Sequence, residues 1–393
     1  MDGNTFSSPT PFTPPTTEED RLSWLRLIRS RRVGPATFLR LMTEHGSADT
    51  ALAALPAIAR GAGVQAYEPY PYDSAQRELA HGRSKGAHLL CLGDPDYPAA
   101  LAALDDPPPV LWAMGRLNTL SAPAIAIVGA RNASSLGLRT ARKLAEGLGY
   151  HGFTVVSGLA RGIDTAAHGA ALKSGTIAVM AGGVDVIYPP ENAVLAATIA
   201  DQGLRLSEQP FGLQPQARHF PRRNRLIAGL SRAVIVVEAA EGSGSLITAR
   251  DALDQGRDVL AVPGHPFDAR ATGCNTLIRG GAILVRDVAD VIDALEGSLL
   301  TPPPTKPDLA KPDLAKPAPT KPPRAAPKPA AAKPLDTLAL HRMILSALGP
   351  NPVAEDQLLR DLGLLPAAVA PALLFLELDG RVQRQPGGML ALS

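Results

Sequence analysis

Four short stretches carry residue types able to hold a phosphate chain. HFPRRNRLIAGL, residues 219–230, sets Arg222, Arg223 and Arg225 within four positions, with Asn224 among them, just before an apolar run at helical spacing. Guanidinium groups so close together suit forked contacts to phosphate oxygens; taken alone, the run reads more plainly as a solvated basic turn. GARNASSLG places Gly129 where a backbone can approach a ligand, Arg131 where it can supply charge, and a helix start with free N–H groups just beyond. In SGLARGIDTAAHGAAL, Ser157, Gly158, Arg161 and Gly162 line the entrance to a helix that Asp164 opens. EGSGSLITA puts Ser243, Gly244 and Ser245 at another helix start, where small side chains form an anion cradle. Convergence of the four is what raises the basic turn above a surface feature.

Other chemistries lack their residues. GxGxxG is absent after the first strand, with no acidic residue at the ribose-binding distance, so NAD is not expected; GxxxxGK[ST] is absent as well. Cys91 and Cys274 are the only cysteines, far apart, and the eight histidines form no HExxH or CxxC arrangement, so neither metal nor cofactor is expected. His168 has no nucleophile near it in sequence and reads as a helix-packing histidine. Asp185, in AGGVDVIYPPEN, either hydrogen-bonds a sugar or orients its own loop. Aromatic residues make up 4% of the chain, which leaves Tyr188 and Phe220 as the candidate base-stacking rings.

The loops need elements to present them. AIAIVGA (124–130), FTVVSG (153–158), TIAVMAGG (176–183), AVIVVEA (233–239) and DVLAVPG (258–264) read as buried parallel strands alternating with helices. That pattern predicts a doubly wound α/β sheet over 85–300, with ligands at the loops beyond the carboxyl ends of its strands. This segment is expected to fold alone and to carry the binding. Residues 1–17 read as a disordered tail and 18–84 as a small helical domain, whose VGPATFLRLMTEHGS portion resembles SAM-like and helix-hairpin-helix units. Residues 301–334 repeat KPDLA and carry six Lys and one Arg against two Asp, a Pro-rich linker of net charge +5. Residues 335–393 give three helices and a hairpin, the winged-helix order, with four Arg against six Asp and Glu. PAAVAPALLFLELDG, in the place of the recognition helix, has no Lys or Arg and ends in Glu377 and Asp379, so this unit is expected to contact protein rather than duplex DNA. The net charge of the chain is only +2, so a basic surface must be local. With no signal-peptide pattern and no apolar run of membrane-spanning length, a cytoplasmic protein is expected.

Taken in order, YPAALAALDDPPPVLWAMG (97–115), AIVGARNASSLG (126–137), SGLARGIDTAAHGAAL, GGVDVIYPPEN, HFPRRNRLIAGLS, EGSGSLITARDALDQGRDVLAVPG and GCNTLIRGGA (273–282) resemble the DNA-processing protein A (DprA/Smf) family over about two hundred residues. The resemblance implies a Rossmann-like domain that binds incoming single-stranded DNA during natural transformation, dimerises and helps load the RecA recombinase, with no catalytic reaction. It assigns Gly129, Arg131, Ser157, Gly158, Arg161, Gly162, Arg222, Arg223, Asn224 and Ser243 to Ser245 to the DNA pocket. Ala130 departs from the family, which commonly has Ser there. A competing reading is a nucleotide or phosphoribosyl hydrolase on the same pocket, although the PGGxGTxxE motif of those enzymes is absent.

Overall fold

The computed structural model describes residues 13–300, 337–348, 353–362, 364, 366–385 and 389–392. The linker expected at 301–334 and most of the tail expected at 1–17 lie outside these residues. Chain order begins with four helices, α1 (Glu18–Arg29), α2 (Pro35–His45), α3 (Ala48–Gly61) and α4 (Tyr72–Ser84). Thr17 starts α1 as a capping box: its side chain accepts from the Asp20 N–H, and the Asp20 carboxylate accepts from the Thr17 N–H at 3.0 Å.

The sheet follows. Its elements are β1 (Ala87–Cys91), α5 (Ala99–Ala102), β2 (Val110–Gly115), β3 (Ala124–Gly129), α6 (Ser135–Tyr150), β4 (Thr154–Ser157), α7 (Ile163–Ala171), β5 (Thr176–Val179), α8 (Ala193–Gln202) and β6 (Leu204–Ser207). Then come α9 (His219–Leu230), β7 (Ala233–Val237), α10 (Gly244–Asp254), β8 (Asp258–Ala261), α11 (Thr272–Arg279), β9 (Ile283–Leu284) and α12 (Val288–Leu300). Nine strands are ordered β1-β2-β6-β5-β4-β3-β7-β8-β9. From β6 to β9 every neighbour is parallel, and the five strand segments read from the sequence all lie there. β1 and β2 close one edge antiparallel.

Each central strand buries both faces, as a parallel sheet between two helical layers requires. Ala126, Val128 and Val156 face one core, whereas Ile125, Ile127 and Val155 face the other, with α6, α7 and α12. The first core is continuous with the N-terminal helices: Leu25, Phe38 and Leu55 belong to the same cluster as Trp112 and Val236. Polar contacts reinforce this union. Trp112 Nε1 donates to Glu78 Oε1 at 2.8 Å, Arg29 pairs with Glu78 at 2.9 Å, and Arg21 forks onto Asp94 at 2.6 and 2.8 Å. Gly82 lets the Trp112 ring lie against α4, since a Cβ there would overlap it. A boundary at 84/85 therefore runs through one apolar core.

The last unit comprises α13 (Thr337–Ala347), β10 (Val353–Ala354), α14 (Glu355–Leu362), α15 (Pro366–Leu378), β11 (Val382–Gln385) and β12 (Met389–Leu392), with a core of its own around Ile344, Leu358, Leu373 and Leu376. Three helices and the β11–β12 hairpin are a winged helix. Among the described residues no helix is long and apolar enough to cross a membrane, and no cluster of acidic, His or Cys side chains could hold a metal ion.

Candidate nucleic-acid interface

Parallel strands send the loops after β3, β4, β5 and β7 to one edge of the sheet. The N-terminus of α9 arrives at the same edge, because α9 crosses from the end of β6 to the start of β7. Arg131, Gly158, Ala160, Arg161, Tyr188, Pro189 and Phe220 line a cleft there. The Arg131 guanidinium lies over the Phe220 ring, 5.4 Å from its centroid, and the Tyr188 ring meets Phe220 edge-on at 5.8 Å. Tyr188 is 48% exposed. Arg131 and Arg161 are exposed as well, Arg161 in a surface ion pair with Glu191, and Arg222 stands exposed two residues on from Phe220. Exposed cations beside aromatic rings are what a flexible phosphodiester with unstacked bases needs.

Arg223, Asn224 and Ser157 lie beneath this surface. Arg223 is 6% exposed; its Nη1 donates to the Gly158 and Val179 carbonyls at 2.5 and 2.6 Å, and its Nε to Asn224 Oδ1 at 3.2 Å. Burial pushes its pKa down to about 10, opposed by the nearby Asp164 carboxylate. The sequence leads one to expect Arg223 to face a phosphate; in the structure its Nη1 ties the ends of β4 and β5 to α9, and its guanidinium lies 5.9 Å from the Phe220 ring centroid, beneath the exposed arginines. Gly158 has no Cβ because the Arg223 guanidinium occupies that space. Asn224 is buried and donates to the Gly244 carbonyl at 3.3 Å, linking α9 to the α10 loop. Ser157 is buried, its hydroxyl donating to the Ile127 carbonyl at 2.7 Å.

The glycines serve close backbone approach. A Cβ on Gly129 would overlap the Val237 carbonyl, and Gly162, at φ +76°, passes against the Ala130 carbonyl. Ser243 caps α10 by accepting from the Ser245 N–H at 3.4 Å and shares a 2.8 Å hydroxyl contact with Ser245, which is buried, while Gly244 is exposed and open. The helix start expected to be free, that of α6, is filled by the chain itself. Glu238, just past β7, accepts from the Ser134 N–H at 2.8 Å and from the Ser134 hydroxyl, and its carboxylate fills the space beside Gly137. The crevice between β3 and β7, where dinucleotides sit in this type of sheet, thus holds a side-chain carboxylate. Nothing in the sequence near GARNASSLG marks a partner from so far along the chain.

His168 is fully buried, its Nε2 accepting from the Leu159 N–H at 3.3 Å and its Nδ1 2.7 Å from the Thr176 hydroxyl; burial and then the Arg223 charge push its pKa down to about 3. It packs α7, in agreement with the sequence reading. Asp164 accepts from the Gly158 and Ala160 N–H groups at 3.1 and 3.2 Å, and Asp185 orients its loop by accepting from the Gly212 N–H at 2.9 Å. Arg225 pairs with Glu208 at 2.6 Å and donates to the Asp106 carbonyl at 2.9 Å, away from the cleft.

Fold and site together define a three-part Rossmann-like protein, with a helical head, a winged-helix tail and an edge that presents arginine and aromatic side chains. The chain belongs to the DprA/Smf family. The family described as DNA recombination-mediator protein A matches residues 88–296, a DprA-like N-terminal HHH domain matches 18–80, and a DprA winged helix domain matches 326–388. Protein Smf of Synechocystis is 36% identical over 390 residues, 93% of this chain and 96% of that protein. DNA processing protein DprA of Bacillus subtilis is 44% identical over 227 residues, covering 57% of this chain and 76% of that one. Among solved structures, DprA of Streptococcus pneumoniae aligns with TM-score 0.56 and 36% identity over 70% of this chain and 96% of that one. DNA processing protein A of Helicobacter pylori, described for its single-stranded DNA binding mode, aligns with TM-score 0.50 and 31% identity over 54% and 96%.

Proposed function

We propose that this chain is a cytoplasmic DNA-processing protein that binds single-stranded DNA along the carboxyl edge of its sheet during transformation and recombination, without cleaving it. The observation that carries the reading is the cleft in which Arg131 and Arg161 flank the Tyr188 and Phe220 rings. Phosphates meet Arg131, Arg161 and Arg222; bases stack on the rings; Arg223, Asn224 and Ser157 hold the loops from below. Contacts of this kind are to backbone and ring faces, so sequence preference is weak. Asp164 and His168, beneath the cleft, are buried in structural hydrogen bonds, and the exposed Glu191 carboxylate beside it is paired with Arg161, an arrangement that supports binding over hydrolysis. We further propose, as the resemblance to the family implies, that it hands the strand to RecA and forms a homodimer through the Rossmann-like domain. The β9 edge, with Ile283 and Leu284 exposed, offers such a dimer an apolar strand to pair. Residues 18–84, 85–300 and 335–393 are the working units, with 301–334 as their tether.

The test is fluorescence anisotropy of a labelled oligonucleotide over a salt series. Arg131→Ala and Arg161→Ala should each flatten the log–log salt slope by about 0.7 and weaken binding to every sequence alike. Unchanged slopes in folded variants, or tighter binding to duplex than to single strands, would remove the cleft from the reading.

A further inference from the structure

The winged-helix unit meets the helical head through the carboxyl end of α15, the helix that such a unit would lay in a DNA groove. Glu377 lies 3.8 Å from Arg40 Nη2, and Asp379 lies 3.9 Å from Arg32 Nη1. α15 packs on α3, and just past α3 the Phe375 ring comes so close to Gly63 that a Cβ there would lie 3.2 Å from it. Glu377 is aimed by its own unit: Arg384 Nε holds its other oxygen at 3.0 Å. On the receiving side, Arg40 Nε and Nη2 are buried and reach no hydrogen-bond acceptor. Burial lowers the Arg40 pKa, and the Glu377 charge is the largest influence opposing it. Much of what neutralises this arginine therefore comes from the far end of the chain. Arg31 and Arg32 are exposed at the α1–α2 turn, where Gly34 opens α2 without a side-chain cap, a surface of the kind a phosphate backbone would take.

We propose that α15 is an intramolecular clasp rather than a DNA reader: Glu377 and Asp379 stand where phosphates would, covering an arginine face on the helical head and releasing it to a competing polyanion. Ion pairs at such distances are weak individually, and covalent connection through the linker expected at 301–334 supplies the effective concentration that makes them hold. The head is then a second, gated phosphate-binding face, separate from the sheet edge.

The full chain is labelled with donor and acceptor dyes at Gln76→Cys on α4 and Arg342→Cys on α13, both exposed; the native Cys91 and Cys274 are buried. Energy transfer should fall at least about twofold between roughly 50 mM and 500 mM salt, and again when inorganic polyphosphate is added at low salt. Arg40→Glu should lower transfer at low salt. Arg32→Asp and Asp379→Arg should each lower it, and their combination should restore it; Asp is chosen because Arg32 has φ +64°, which Asp tolerates. Transfer indifferent to salt, polyphosphate and Arg40→Glu would overturn the clasp. Transfer appearing only between mixed, singly labelled chains would overturn its intramolecular form. An Arg131→Ala background should respond identically, so failure of the clasp is separable from failure of the cleft.

Discussion

Arg222 and Arg223 are neighbours in sequence and opposites in environment. Arg222 is exposed, whereas Arg223 lies on the buried stripe of α9 with Ile227 and Leu230. Substituting them should give two different phenotypes. Arg222→Ala is expected to flatten the salt slope of DNA binding by about 0.7 with an unchanged melting temperature. Arg223→Ala, which leaves the Gly158 and Val179 carbonyls without their donor, should cost about 3 kcal/mol or more in a denaturant titration, whatever it does to binding. A stable Arg223→Ala with a flattened slope would reverse these roles. His168 gives a pH signature. Its folded pKa of about 3 lies below the ordinary 6.5, so between these values the unfolded chain binds the proton and the native state does not. Its contribution to stability is complete above pH 6.5 and declines by about 1.4 kcal/mol per pH unit as the pH falls toward 3. Buried Asp164, whose pKa is raised, acts in the opposite direction, so the measure is the difference between wild type and His168→Gln across that window. Parallel stability curves for the two would sink the argument.

At the scale of elements, the parallel strands were legible because their residues are apolar on both faces and mostly β-branched, as in AIAIVG and AVIVV. β6 escapes that reading because LRLS is four residues long and inserts an arginine, and β9 because two residues carry no period. The site was legible as a set of loops and partly misleading as a set of side chains. Residue type and spacing bring GARN, SGLARG and PRRN to one edge, but which arginine faces water depends on what packs above α9. The i, i+4, i+7 spacing of Arg223 with Ile227 and Leu230 was the available signal. The filled start of α6 had none, since Glu238 reaches it from another strand. Removing that carboxylate tests the filling: Glu238→Ala should destabilise by about 1 kcal/mol, the usual worth of a helix cap, and sulfate should recover part of the loss by accepting from the vacated Ser134 N–H and hydroxyl. No stability change, with or without sulfate, would mean the carboxylate is incidental.

Over the whole molecule, the helical head and the sheet share a core, and the winged helix has its own. Excision of residues 85–300 would strip Trp112 of Glu78, Asp94 of Arg21, and the Glu208 carbonyl of Arg29. Such a fragment is expected to melt about 10 °C or more below residues 13–300, in contrast to the independence its strand pattern implies. Equal melting temperatures would show that the shared core contributes little. The same core decides what light can report. The chain has two tryptophans, Trp24 and Trp112, and both are buried in that cluster, one in the head and one in the sheet. Tryptophan emission is therefore a built-in gauge of the seam between head and sheet. It carries no signal from the winged helix, and a strand settling on Tyr188 and Phe220 would pass without quenching it.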